Sequence, residues 1–374
     1  MDKKLGGLEI ARAIAALAVM AGHMRGMYFV DYNDLEYKSV IAQIFYFLTG
    51  FGHQSVIVFF VLSGFLVGGS VIEKFEKGTW SWKKYLTQRL ARLWIVLIPS
   101  LLFTLFFDIL GLNNNYSLYQ GTYYNIMHSG PIEGTYFLSL NSFLGNLFFL
   151  HGWITPIFGS NGPMWSLFNE FWYYLIFPLF CGTVFRKNNF QFISNSLILF
   201  AIFAFIPNSI IEGFFYWIIG ALVAKTMKSQ TYSFNLIQFV FGLFVFLISL
   251  FLSRHIKLTL NDSFTAFSFC IFIIPLSLFP YRFSLFSFLS DCSYSVYLLH
   301  FSFSLFISSF YLPHRHQFDL NSFLIFSCYV LICFAYCVVM YFCFEYHTPK
   351  LRKFIDLCLS RKSTPGQTYP SQSS

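Results

Sequence analysis

The sequence predicts an all-α integral membrane protein, a bundle of about ten transmembrane helices, and three observations predict it. Only 11% of the 374 residues are charged, while 56% are hydrophobic and 22% aromatic. Soluble domains average about 25% charged residues, so this chain cannot build a water-facing shell. The apolar residues come in runs of about 20, the length that crosses a hydrocarbon core of roughly 30 Å. The basic residues sit at the ends of these runs with a bias to one side, as topology signals do.

In chain order the apolar segments cover residues 8–29, 52–72, 89–110, 164–185, 192–207, 212–226, 234–253, 263–280, 292–311 and 322–345. The first follows Lys3 and Lys4 and looks like a secretory signal. Glu9 and Arg12 interrupt its apolar stretch, so it is expected to be a retained helix. The fifth and sixth are short and fit a tilted or partly re-entrant course. With the N-terminus in the cytoplasm, 18 of the 24 Lys and Arg residues fall on the cytoplasmic side, Lys77, Arg89, Arg92 and Arg352 among them. Five fall opposite (Arg25, Lys38, Arg254, Lys257 and Arg315), and Arg12 lies inside the first helix. Both termini then come out cytoplasmic.

Residues 111–163 contain no Lys or Arg, and their apolar stretch 143–150 is too short to span. A connection this long, on the outer face, is expected to contact substrate. Residues 1–350 form one transmembrane domain. Residues 351–374 are expected to be a cytoplasmic basic and polar tail without fixed structure. The net charge of +8 is scattered over segment ends rather than gathered in a patch, which excludes a nucleic-acid binder. The eight cysteines form no CxxC pair, so neither a disulfide framework nor a metal site is expected.

Polar residues inside apolar helices are costly and need a reason. Eleven helical steps carry Arg12 to within roughly 20° of the face of His23, about 16 Å further along, and Glu9 lies about 60° from Arg12. The three share one stripe. Arg89 and Arg92 are neighbours on a helix surface, and two guanidinium forks suit phosphates. Ser166 and Glu170 share a face of the fourth segment, and Tyr297 and His300 a face of the ninth.

These stretches together resemble the acyltransferase-3 family of membrane O-acyltransferases over residues 5–350. The resemblance rests on Glu9-x-x-Arg12 with His23, on residues 59–65 (FFVLSGF) with Ser63 and Gly64, and on Arg89-x-x-Arg92. It also rests on Gly162-Pro163-x-Trp165-Ser166-Leu167-x-x-Glu170 and on Ser293-Tyr294-Ser295-x-Tyr297-Leu298-x-His300. It implies a stand-alone member without an esterase-like domain, in a bacterial inner membrane. Its donor is acetyl-CoA or another acyl-CoA, and its acceptor a cell-surface glycan or lipid-linked glycan. By the same resemblance His23 is the catalytic histidine, with Arg12 and Glu170 beside it, and Arg89 and Arg92 belong to the acyl-CoA site. Glu9, Ser63, Gly64, Trp165, Ser166, Tyr297 and His300 support the site. Two stretches depart from the family pattern. Ser290-Asp291-Cys292 replaces a glycine before Ser293, and Glu345 stands four residues before Pro349 with His347 in the usual acidic place. A hydroxyl is a poor nucleophile, and His23 is the group suited to take its proton. The rival class is a secondary transporter or flippase, with Glu9, Arg12, Glu170 and His300 lining its path.

Overall fold

The computed structural model describes residues 6–186, 188–253 and 258–361. Lys3, Lys4, Lys187, Arg254, Lys257 and Lys362 of the topology count, and residues 362–374, lie outside them. The regular structure of the described residues is helical, with three isolated β-bridges and no sheet. The order is α1 (Gly6–Tyr28), α2 (Val40–Leu48), α3 (Gly52–Ser63), a π-helical turn (Gly64–Gly68) and α4 (Gly69–Glu76). Next come α5 (Trp82–Asn114), α6 (Tyr116–Tyr119), α7 (Tyr124–Met127), α8 (Leu140–Leu147) and α9 (Met164–Val184). Then follow α10 (Asn189–Phe205), α11 (Asn208–Lys228), α12 (Leu236–Leu252), α13 (Leu258–Ser277) and α14 (Ser284–Asp291). The last are α15 (Ser293–Ser308), α16 (Leu320–Cys343) and α17 (Thr348–Arg361).

Polar side chains start these helices where the sequence leaves backbone N–H groups unpaired. Ser39 caps α2, Asn188 caps α10 and Asn235 caps α12. At α16 the Asp319 carboxylate accepts from the backbone N–H and hydroxyl of Ser322, both at 2.9 Å. Those two donors hold it below the usual carboxylate range.

All ten sequence segments are helical, and the chain is the multi-span α-helical bundle that the sequence predicts. By length and composition six stretches among the described residues can cross a membrane: Gly6–Tyr28, Val40–Glu76, Trp82–Asn114, Asn208–Lys228, Leu260–Ser277 and Leu320–Cys358. Asn189–Phe205 and Leu236–Leu252 are apolar but shorter. The remaining two, α9 and α15, lie inside the bundle. Buried positions of α15 include Ser293, Ser295, Ser302, Ser304 and Ser308. A helix whose neighbours are helices rather than lipid can carry such polar groups. α10 and α12 are the opposite case. α10 buries no residue and α12 only Gly242 and Ser249, and large apolar side chains such as Phe200 and Ile237 point outward.

Helix α1 packs between α3 and α15, α15 packs on α5 and α16, and α11 packs on α3 and the π-helical turn. The α3–α11 approach is so close that a Cβ at Gly64 would strike the backbone carbonyl of Trp217, and one at Gly220 that of Val61. Glycine at both positions lets two backbones meet, as small residues do in membrane bundles. Gly64 is thus a packing position between two helices.

One expectation is corrected. Residues 351–361 are not an unstructured tail but continue α17, which packs on α5. Residues 40–48 and 284–291, between the apolar segments, form the short helices α2 and α14.

Candidate functional site

Two cavities lie inside the bundle, one lined by arginines and one by histidines. The arginine cavity, of about 290 Å³, is bordered by Arg12 from α1, Arg89 and Arg92 from α5, and Arg352 from α17. Four guanidinium groups face a single lining carboxylate, Glu170 of α9. Arg12 donates to Ser293 Oγ at 3.1 Å, at the start of α15. Arg89 lies over the rings of Tyr85 and Tyr174, at 5.8 and 5.7 Å. The Nε atoms of Arg89 and Arg352 are buried without a hydrogen-bond partner among the described residues. A buried guanidinium donor without a protein acceptor is a place for an anionic ligand.

Glu170 is held from two sides. Ser63 Oγ donates to it at 2.6 Å and Tyr174 OH at 2.5 Å. Ser63 in turn accepts from the Trp217 indole N–H at 3.1 Å. One relay therefore ties α11, α3 and α9 at the cavity wall. Glu345 accepts from Ser295 N and Oγ at 2.9 and 2.7 Å and is buried within electrostatic reach of Arg92 and Arg12.

The histidine cavity, of about 600 Å³, is walled by Val19 and His23 of α1, Gly52, His53 and Val56 of α3, Trp165 of α9, and Tyr297 and Phe301 of α15. Residues of the 111–163 connection, among them Tyr124, His128, Thr135, Pro156 and Ser160, close its other side. Three polar anchors fix that connection. The buried Asp108 of α5 accepts from Ser160 N and Oγ at 2.7 and 2.6 Å. Asn161 Nδ2 reaches Leu298 O at 2.9 Å. His151 Nε2 donates to Met164 O at 3.0 Å, and burial pushes its imidazole down to about 4. His53 Nε2 pairs with Asp262 at 2.8 Å.

At His23 the hydrogen bonds fix the tautomer. His300 Nδ1 lies 2.8 Å from Val296 O. A carbonyl only accepts, so that nitrogen carries the proton and His300 Nε2 keeps its lone pair. His23 Nδ1 lies 3.0 Å from this Nε2 and must be the donor. The proton of neutral His23 is thus on Nδ1, and Nε2 is left as a base.

The structure gathers the residues singled out in the sequence unevenly. Arg12, Ser63, Arg89, Arg92, Ser166 and Glu170 meet at the arginine cavity, His23 and Trp165 at the histidine cavity, and Tyr297 at both. His300 stands behind His23 and borders neither. Glu9 leaves the group, since Arg282 clamps both its oxygens at 2.7 and 2.8 Å. Of the transporter-path residues Glu9, Arg12, Glu170 and His300, Arg12 and Glu170 line the arginine cavity, while Glu9 and His300 line neither of the two cavities. Sequence reasoning missed Arg352, Tyr174, Val56 and the His53–Asp262 pair. Arg352 was legible as one more basic residue in a tail, and nothing in the sequence aimed it inward. The replaced glycine causes no strain, because Cys292 has φ −88° and ψ 0°, open to any L-residue. Among the described residues no group of three or more His, Cys, Asp or Glu side chains could hold a metal ion.

A family model described as an acyltransferase domain matches residues 5–342. No curated protein and no solved structure matches the chain.

Proposed function

Because the chain belongs to the acyltransferase-3 family and is a multi-pass membrane acyltransferase, we propose that it moves an acetyl group from cytoplasmic acetyl-CoA to a hydroxyl of a cell-surface glycan or its lipid-linked precursor. One observation carries this. A cationic cavity suited to phosphates and a cavity holding an unprotonated histidine nitrogen meet inside one bundle.

Arg89, Arg92 and Arg352 clamp the phosphates of the donor, bidentate where the guanidinium forks allow it. Arg12, fixed by Ser293, stands about 16 Å along α1 from His23. It therefore holds the donor in the arginine cavity rather than an oxyanion at the histidine. Glu170, satisfied by Ser63 and Tyr174, orients that wall. The acceptor enters the histidine cavity, and His23 Nε2 takes its hydroxyl proton as the oxygen attacks the thioester carbonyl. The new C–O bond forms, the C–S bond breaks, and the proton passes to the thiolate. His300 keeps His23 in the reactive tautomer.

Proteoliposomes holding the purified chain, given acetyl-CoA and the glycan fraction of the producing cells, test this. Free coenzyme A and base-labile acetyl esters should appear together. Absence of both with intact protein overturns the proposal.

A further inference from the structure

The two cavities share two lining residues, Val56 of α3 and Tyr297 of α15. Both are nearly enclosed, at 5% and 8% exposure. The Tyr297 hydroxyl is tied to Ser166 Oγ at 2.6 Å. Phe59 meets the Tyr297 ring edge-on, with centroids 5.7 Å apart. A ring held by a hydrogen bond at its tip and an aromatic edge at its side has little room to swing. Tyr297 also lies three residues, about 4.5 Å of helix rise, before His300, the partner of His23. The shared lining makes the Val56 isopropyl group and this ring the neck that an acyl group passing from the arginine cavity to His23 would cross.

We propose that the Val56–Tyr297 neck selects the acyl group by width, passing straight-chain acyl groups and rejecting those branched next to the carbonyl. This rests on the acyl transfer proposed above and names its donor class. A polymethylene chain has the same cross-section at every carbon, so extra length meets no new obstacle at the neck. A methyl branch beside the carbonyl adds width where the carbonyl must lie to meet His23. Packed side chains yield little to one added methyl group. Chain length is limited instead by the histidine cavity, which the acyl group shares with the acceptor.

Butyryl-CoA and isobutyryl-CoA have the same atoms and differ only in branching. Each is supplied, with acetyl-CoA as reference, to membrane vesicles from cells producing the full chain, and vesicles without it serve as blank. Acyl esters in the glycan fraction are identified by mass. The wild-type chain should favour butyryl over isobutyryl by about tenfold or more, the range a single misplaced methyl group commands in an enzyme pocket. Val56→Ala, which widens the neck, should raise the isobutyryl-to-butyryl ratio by about tenfold. Tyr297→Phe, which frees the ring from Ser166, should move it the same way, and it decides the matter if Val56→Ala fails to accumulate. Equal use of both donors by the wild type, or a ratio unmoved in both variants while acetyl transfer is measurable, overturns the filter alone. Use of acetyl-CoA by the wild type and of neither four-carbon donor by any variant overturns it too. Failure of the wild type to transfer from acetyl-CoA at all removes the acyltransferase assignment to glycans, and the neck with it.

Discussion

In the proposed reaction His23 and His300 form the part of the site where single atoms decide the chemistry. The chain from Val296 O through His300 to His23 leaves one lone pair, on His23 Nε2. Replacing His23 by Ala should lower kcat by about 10²–10⁴-fold, the usual worth of a general base, with the protein still in the membrane. His300 is proposed to act through His23, to which it is hydrogen-bonded, so its variants should separate by hydrogen bonding. His300→Leu should lower kcat at nearly constant KM. His300→Gln, which can both donate to Val296 O and accept from His23, should recover part of the loss. Equal activity of the Leu and Gln variants would show that His300 only fills space. Arg352 is the second residue-scale case. Its Nε has no partner among the described residues, so Arg352→Ala should weaken acyl-CoA binding by about 1.5–3 kcal/mol, the worth of a hydrogen bond to a charged group. Arg352→Lys should keep the charge but restore only part of the affinity, since Lys lacks the planar fork. Calorimetry with a non-hydrolysable acyl-CoA analogue reads both, and unchanged affinity in the Ala variant would exclude Arg352 from the donor site.

At the scale of elements, the 111–163 connection is a fixed cover rather than a loose lid. Asp108, Asn161 and His151 tie it to α5, α15 and α9. Its hold depends on pH through His151. The folded imidazole sits at about 4, below the unfolded value of about 6.5. The closed cover therefore binds fewer protons than the open one. Its stability is full above the unfolded value and declines as pH falls from about 6.5 to about 4, by on the order of 3 kcal/mol in all. Hydrogen exchange of residues 136–163 should accelerate across that window while α1 and α15 stay protected. His151→Gln should flatten the pH dependence. Exchange in the cover that stays independent of pH in the wild type would contradict this. The helices beneath are positioned differently, by contact of backbones. Gly64 and Gly220 let α3 and α11 meet, which sets Ser63 within reach of the Trp217 indole.

For the molecule as a whole, the proposed reaction requires the two cavities to open to opposite sides. The basic-residue bias predicts Arg89, Arg92 and Lys77 on the cytoplasmic side, and the 111–163 cover on the outer one. Single cysteines in that cover should react with an impermeant thiol reagent in intact cells, and one at Lys77 should not. The native thiols exposed in the fold, Cys328, Cys343 and Cys358, must first be replaced. Labelling at Lys77 and not in the cover would reverse the topology and remove transfer across the membrane.

The sequence by itself determined that this chain is a helical membrane protein, because low charge and apolar runs of about 20 leave no other solvent for it. It also singled out Arg12, His23, Arg89, Arg92 and Glu170 as candidates, since an ionisable group in an apolar helix is costly enough to stand out. It did not determine which of these meet. Helical periodicity put Glu9, Arg12 and His23 on one stripe, yet Arg282, 273 positions away, takes Glu9 out of it. Val56 carried no signal, because a valine in an apolar helix is indistinguishable from packing. Arg352 looked like a tail residue until α17 folded back on α5. The polar positions of α9 and α15 are likewise buried by other helices, which no local pattern announces. Local pattern fixes what each helix is made of, and side-chain packing between distant segments alone fixes what each polar group faces.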